Sequence, residues 1–118
     1  MDEELRSEFR ALIAERREEA LRALERGRDG LEEVGRARSA ATADDEHDPE
    51  GATLAEEWSR VAGRNAAAEA ELRAVDEAAA RLADGTYGVC ARCGERIPAD
   101  RLRARPTATM CVSCASKR

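Results

Sequence analysis

The chain has 118 residues and a net charge of -5, with 38% of its residues charged. Hydrophobic residues make up 42%, but half of these are alanine, and the only aromatics are Phe9, Trp58 and Tyr87. So few large apolar groups exclude a thick globular core. They suit thin helices instead, because alanine, arginine, glutamate and leucine are all strong helix formers.

Residues 2–38 read as one helix. Leu5, Phe9, Leu12, Ile13, Ala20, Leu24, Leu31 and Val34 recur mostly three or four apart, and no proline interrupts them. Asp2, Glu3 and Glu4 suit the positive end of the helix dipole, and Arg36 and Arg38 the negative end. Gly27, Gly30 and Gly35 are expected to weaken its last third, each by about 1 kcal/mol relative to alanine. The apolar pattern is lost over residues 39–48, which read as a turn or loose tip. Asp48-Pro49 then predicts a helix start, with Asp48 as N-cap and Pro49 at the first helical position.

The second helix carries the clearest period. Leu54, Trp58, Val61, Asn65, Ala68, Leu72, Val75, Ala79 and Leu82 alternate spacings of four and three, a coiled-coil seam of four heptads. Asn65 is its one polar member, of the kind that fixes register. The helix should end near Asp84-Gly85. Two long helices with a short connection predict an all-α fold: a long antiparallel two-helix coiled-coil hairpin over residues 1–85, with its tip at about 39–51. At 1.5 Å per residue its arms should be about 45–55 Å long. Pairing of the helices between chains is the alternative, and the short connection favours pairing within one.

Residues 86–118 differ in kind. Against 23 acids and 13 arginines before them, a balance of -10, they hold 2 acids and 7 basic residues, a balance of +5. Their cysteines, Cys90, Cys93, Cys111 and Cys114, follow the spacing C-x2-C-x17-C-x2-C. Each C-x-x-C turn aims two sulfurs at one ion, and the intervening loop lets the turns face each other. Gly88 and Gly94 stand where such turns need freedom in φ. The opening Met-Asp-Glu-Glu is the opposite of a basic leader, and no apolar run approaches membrane-spanning length. A cytoplasmic protein is therefore expected, in which cysteines stay reduced and bind metal rather than pair as disulfides. One structural zinc ion follows, in a small C-terminal four-cysteine zinc finger. Bound as thiolates, the cysteines would cut the local balance to +3. Tyr87, Ile97, Leu102, Met110 and Val112 should form the small core that the metal supplements. Four thiolates leave no place for water or substrate at the ion. The one histidine, His47, belongs to no H-x-E motif, and no nucleophile–base pair or Walker loop occurs. No enzyme activity is expected.

Gly85-Thr86-Tyr87-Gly88-Val89-Cys90, followed by Arg101-Leu102-Arg103-Ala104-Arg105-Pro106-Thr107-Ala108, resembles the zinc segment of the TraR/DksA family of bacterial transcription regulators. The likeness is close over roughly residues 40–118 and holds by pattern alone in the first helix. It implies a regulator that binds RNA polymerase directly, without sequence-specific DNA binding or a membrane. The hairpin would enter the polymerase secondary channel and bring an acidic tip near the catalytic magnesium. The tip candidates are Asp44, Asp45, Glu46, Asp48 and Glu50, five carboxylates within seven positions. They depart from the family pattern D-x-x-D-x-A: from Asp48 the next places hold Gly51 and Thr53, and from Asp45, Asp48 fits but Glu50 replaces the alanine. Arg101 and Arg105 are candidate nucleotide or polymerase contacts. Arg105 matches the family arginine that helps bind guanosine tetraphosphate, but Ala74 and Ala115 stand where such members carry lysines, which leaves that nucleotide doubtful as a ligand. Two other readings compete: a zinc-ribbon nucleic-acid-binding module using Arg92, Arg96, Arg101, Arg103 and Arg105, and a coiled-coil adaptor that dimerises through its helices.

Overall fold

A computed structural model describes residues 1–44 and 49–117, with side chains described except at 41–44 and 49–52. Among the described residues four helices occur, in the order α1 (Glu3–Asp44), α2 (Pro49–Asp84), α3 (Ala99–Ala104) and α4 (Val112–Ser116). Among the described residues there is no strand, only an isolated antiparallel bridge between Val89 and Arg96. The long helices form an antiparallel hairpin, and among the described residues no helix is long and apolar enough to cross a membrane.

α1 starts where the sequence suggests. Asp2 accepts a hydrogen bond from the Leu5 N–H at 2.8 Å, and Glu3 and Glu4 follow in the first turn. Its far end differs from expectation: the helix continues six residues past Arg38, to Asp44. Loss of apolar period removes a packing face but not helical propensity, and Ser39-Ala40-Ala41-Thr42-Ala43 is alanine-rich enough to propagate a helix already begun. α2 starts at Pro49 and ends at Asp84, both as expected. Gly85 then takes a φ of 86°. The Thr86 and Tyr87 N–H groups both donate back to the Arg81 carbonyl, at 3.0 and 3.1 Å. Thr86 also donates from its N–H and hydroxyl to Asp84 Oδ1, at 3.0 and 2.6 Å. That hydroxyl, then the N–H, lowers the Asp84 carboxyl below its ordinary range. The expected N-cap, Asp48, lies outside the described residues.

The chain divides into two compact units. One comprises Met1–Glu18 and Leu72–Arg118, and holds a core of Phe9, Ile13, Val75, Ala78, Leu82, Tyr87, Ile97 and Leu102 with Cys90 and Cys114. Phe9, Val75 and Ala78 are wholly buried. Here the seam departs from the heptad reading, because Ala78 is inside and Ala79 is exposed. α2 must serve Phe9 of α1 and Tyr87 of the zinc segment together, which turns its buried face by one position. Phe9 and Tyr87 pack at 5.4 Å between ring centroids with planes tilted by 50°.

The other unit, Glu19–Glu71, pairs the middle of α1 with the first half of α2. Gly27 faces Asn65, Gly30 faces Val61 and Gly35 faces Trp58, so numbers rise along one helix as they fall along the other. The glycines expected only to weaken α1 therefore lie on its paired face. The tightest contact is at Gly27, where a Cβ would overlap Oδ1 of Asn65. That oxygen is buried without a hydrogen-bond partner among the described residues. Trp58, expected in the seam, remains 36% exposed, because the residue opposite it has no side chain to cover the ring.

Candidate metal centre

The first cysteine pair sits in a turn built by backbone hydrogen bonds. The Cys90 N–H donates to the Glu95 carbonyl at 2.8 Å, the Gly94 N–H to the Cys90 carbonyl at 2.9 Å, and the Ile97 N–H to the Gly88 carbonyl at 2.7 Å. Closing that turn requires Gly94 at φ 76°, a conformation a side chain would strain. The second pair lies on α4, with Cys111 as its N-cap residue and Cys114 one turn on. The Ala91 N–H donates to the Thr109 carbonyl at 2.8 Å, tying the two halves together.

Folding brings all four sulfurs within 4.8 Å of one another. Cys93 Sγ and Cys111 Sγ are 3.9 Å apart. A tetrahedral zinc with bonds of about 2.3 Å sets its sulfurs about 3.8 Å apart, so the cluster has the right size. The donor chemistry agrees. Backbone N–H groups of Cys93 and Cys111 stabilise a negative Cys90 sulfur and lower its pKa to about 6. The Cys111 N–H to Cys90 Sγ distance is 3.4 Å. Cys114 is pushed the other way, to about 12, first by its hydrogen bond with Cys111 and then by burial. Four thiols this close cannot all ionise without a cation, and a divalent ion removes that conflict. The cluster fits one structural zinc ion.

Around the cluster, side chains fasten the zinc segment to α1. The Tyr87 hydroxyl donates to the Pro106 carbonyl at 2.7 Å, joining the sequence motif that leads into Cys90 to the one that precedes Cys111. Burial pushes its pKa up to about 12. Arg101 Nε donates to the Met110 carbonyl at 2.8 Å and so fixes the approach to Cys111. Arg103 grips Glu8 on α1, at 2.6 Å from Nε and 3.2 Å from Nη2, and Asp100 at 2.9 Å. Arg16 Nη2 donates to the Ala104 carbonyl, and Arg6 Nη2 to the Leu82 carbonyl, each at 3.3 Å. Arg105 is exposed at the end of α3. Sequence reasoning missed the Glu8–Arg103 and Tyr87–Pro106 pairings, because partners 95 and 19 residues apart share no local pattern. Val112, expected in the small core, is 59% exposed. Turning Cys111 and Cys114 inward leaves Val112 and Ser113, between them, on the outer face of α4.

Of the tip candidates, Asp45, Glu46 and Asp48 lie outside the described residues. Asp44 and Glu50 fall at the end of α1 and the start of α2, where side chains are not described.

A helical hairpin joined to a four-cysteine cluster of zinc-binding size defines a class of helical zinc-finger proteins. Residues 85–118 match the family model for the prokaryotic dksA/traR C4-type zinc finger. The solved structure of transcription factor DksA2 from Pseudomonas aeruginosa matches with a TM-score of 0.81 at 30% identity, over 98% of this chain and 83% of that one. The chain belongs to the DksA/TraR family. Curated relatives match over shorter stretches. The RNA polymerase-binding transcription factor DksA of Caulobacter vibrioides is 55% identical over 38 residues, 32% of this chain and 27% of that protein. An uncharacterised Aquifex aeolicus protein is 48% identical over 48 residues, 41% of this chain and 33% of that protein. The chain thus spans about a third or less of the curated relatives it matches.

Proposed function

We propose that this chain is a transcription regulator that binds RNA polymerase directly. The observation that carries the reading is its likeness to DksA2 along most of both chains, hairpin and zinc finger together. The DksA of Caulobacter vibrioides, a relative over 38 residues, is an RNA polymerase-binding transcription factor by name. In this reading the hairpin, residues 1–85, enters the polymerase secondary channel, and the zinc finger, residues 86–118, stays at the channel mouth. Cys90, Cys93, Cys111 and Cys114 are the zinc ligands. Four thiolates close the coordination sphere, so the metal holds the fold and performs no chemistry.

The carboxylates at Asp44, Asp45, Glu46, Asp48 and Glu50 act at the tip, where they can alter a metal-centred active site through their charge. Guanosine tetraphosphate has little to hold it: Arg105 is present, but Ala74 and Ala115 offer no charge. The site of action is the cytoplasm, with the polymerase. A nucleic-acid module is less well supported, since Arg101 and Arg103 are engaged within the chain.

Co-elution with purified RNA polymerase and transcription in vitro test this. The wild-type chain should co-elute and alter transcript yield. The triple variant Asp44→Ala, Asp45→Ala, Asp48→Ala should still co-elute but have a weaker effect. A chain that fails to co-elute, yet binds bare DNA with a steep salt dependence, would overturn the reading in favour of a nucleic-acid module.

A further inference from the structure

The unit that carries the zinc cluster also carries an apolar groove on which no function has yet been placed. It has a volume of about 300 Å³, near the lower end for a binding pocket. Met1, Leu5, Val89, Ile97, Pro98 and Leu102 are among its lining residues, and Arg96 has the one charged side chain on its wall. Ile97 and Leu102 are buried and form the floor, while Val89 is 43% exposed. Val89 and Arg96 are directly paired across the isolated bridge, which sets their side chains next to each other on one face. Arg96 is exposed and has no carboxylate partner among the described residues, unlike Arg103. Residues 86–118 as a whole carry two acids against seven basic residues. An apolar slot beside an unsatisfied guanidinium, on a basic segment, is complementary to one kind of protein surface.

We propose that this groove is a docking site for a protein segment that presents a large apolar side chain next to aspartate or glutamate. The apolar anchor fills the slot between Val89, Ile97 and Leu102, and the carboxylate pairs with Arg96. The inference rests on the polymerase reading, and it assigns the segment to RNA polymerase. The groove is separate from Arg105, Ala74 and Ala115, none of which lines it.

The test uses the full zinc-loaded chain with a benzoylphenylalanine photo-crosslinker at Val89, a second chain with the crosslinker at Ala40 on α1, and purified RNA polymerase core enzyme as the probe. Zinc content checks folding of each variant. The expected result is a crosslink from position 89 to a polymerase peptide holding an apolar residue beside aspartate or glutamate. Adding Arg96→Glu should reduce that crosslink by about tenfold while leaving the Ala40 crosslink in place, as reversal of a partner charge requires. Crosslinking from position 40 without any from position 89 overturns the groove and leaves the polymerase reading standing. No crosslink from either position, with no co-elution, overturns both. A position-89 crosslink that survives Arg96→Glu, or that maps to a segment without acids, also overturns the docking assignment.

Discussion

Gly27 and Gly63 show why a residue's effect cannot be taken from its type. Both lie inside long helices, where glycine costs about 1 kcal/mol relative to alanine. At Gly63 nothing lies within 4 Å of where a Cβ would be, so nothing offsets the cost. Gly63→Ala should raise stability by up to about 1 kcal/mol, read as a higher urea midpoint. At Gly27 the same change drives a methyl into Asn65 Oδ1 and should lower the midpoint. Removing the obstruction with Asn65→Ala should recover most of the loss, so a double-mutant cycle should show strong coupling. Independent effects would mean that the two residues do not meet. The seam position of Asn65 was legible in its heptad. Its opposition to a glycine was not, because only the register of the two helices brings them together.

Glu8 makes a second prediction at this scale. Its hydrogen bond from Arg103, supplemented by charge attraction, lowers its carboxyl below the ordinary value of 4.5. The unfolded chain therefore binds this proton more readily than the folded one. Stability from the pair is fully present above pH 4.5, and is lost as pH falls through the lower folded value. In Glu8→Gln that component should vanish. The difference in stability between wild type and variant should shrink on acidification below 4.5, while zinc release acts on both alike. Both side chains are partly exposed, so the effect at neutral pH should be small and sensitive to salt.

At the scale of elements, each helix is placed by what it must cover. The helical stretches and the start of α2 at Pro49 could be read from apolar spacing and the Asp-Pro signal. The six extra residues of α1 could not, because alanine-rich sequence is silent about packing and permissive of helix. The exchange of Ala79 for Ala78 likewise has no sequence signal; it arises where α2 meets two neighbours at once. Phe9 is the residue both neighbours share, and it is wholly buried against Tyr87. Phe9→Ala should cost about 3–5 kcal/mol, as large aromatic truncations in cores do. It should also loosen the zinc segment, seen as faster zinc transfer to a chelator. Unchanged transfer kinetics would show that the segment holds its metal without help from α1.

For the molecule as a whole, the metal stands in for an interior that composition denies it. The binding of a structural zinc supplies on the order of 10 kcal/mol. The apolar side chains of residues 86–117 that are buried, Tyr87, Ile97, Leu102 and Pro106 besides the cysteines, are few. Chelation should therefore remove the near-ultraviolet signal of Tyr87 and unfold the zinc segment before the rest, leaving much of the helical far-ultraviolet signal. A far- and near-ultraviolet spectrum unaltered by chelation would sink this account. The cysteine spacing made the metal centre legible from sequence, because four ligands at fixed intervals form a local pattern. The clamp around it was illegible, since it joins the first helix to the last quarter of the chain.

That clamp has a bearing on how the protein is made. Glu8 emerges from the ribosome 95 residues before Arg103. At synthesis rates of about 5–20 residues per second, it waits roughly 5–20 s for its partner. For the first part of that interval, until Val75 and then Tyr87 emerge, Phe9 and Ile13 have neither to cover them, and the nascent chain displays an apolar helix face with no counterpart. A chaperone that holds such faces has its window here, and the window closes only when the final cysteine arrives and the metal can be captured.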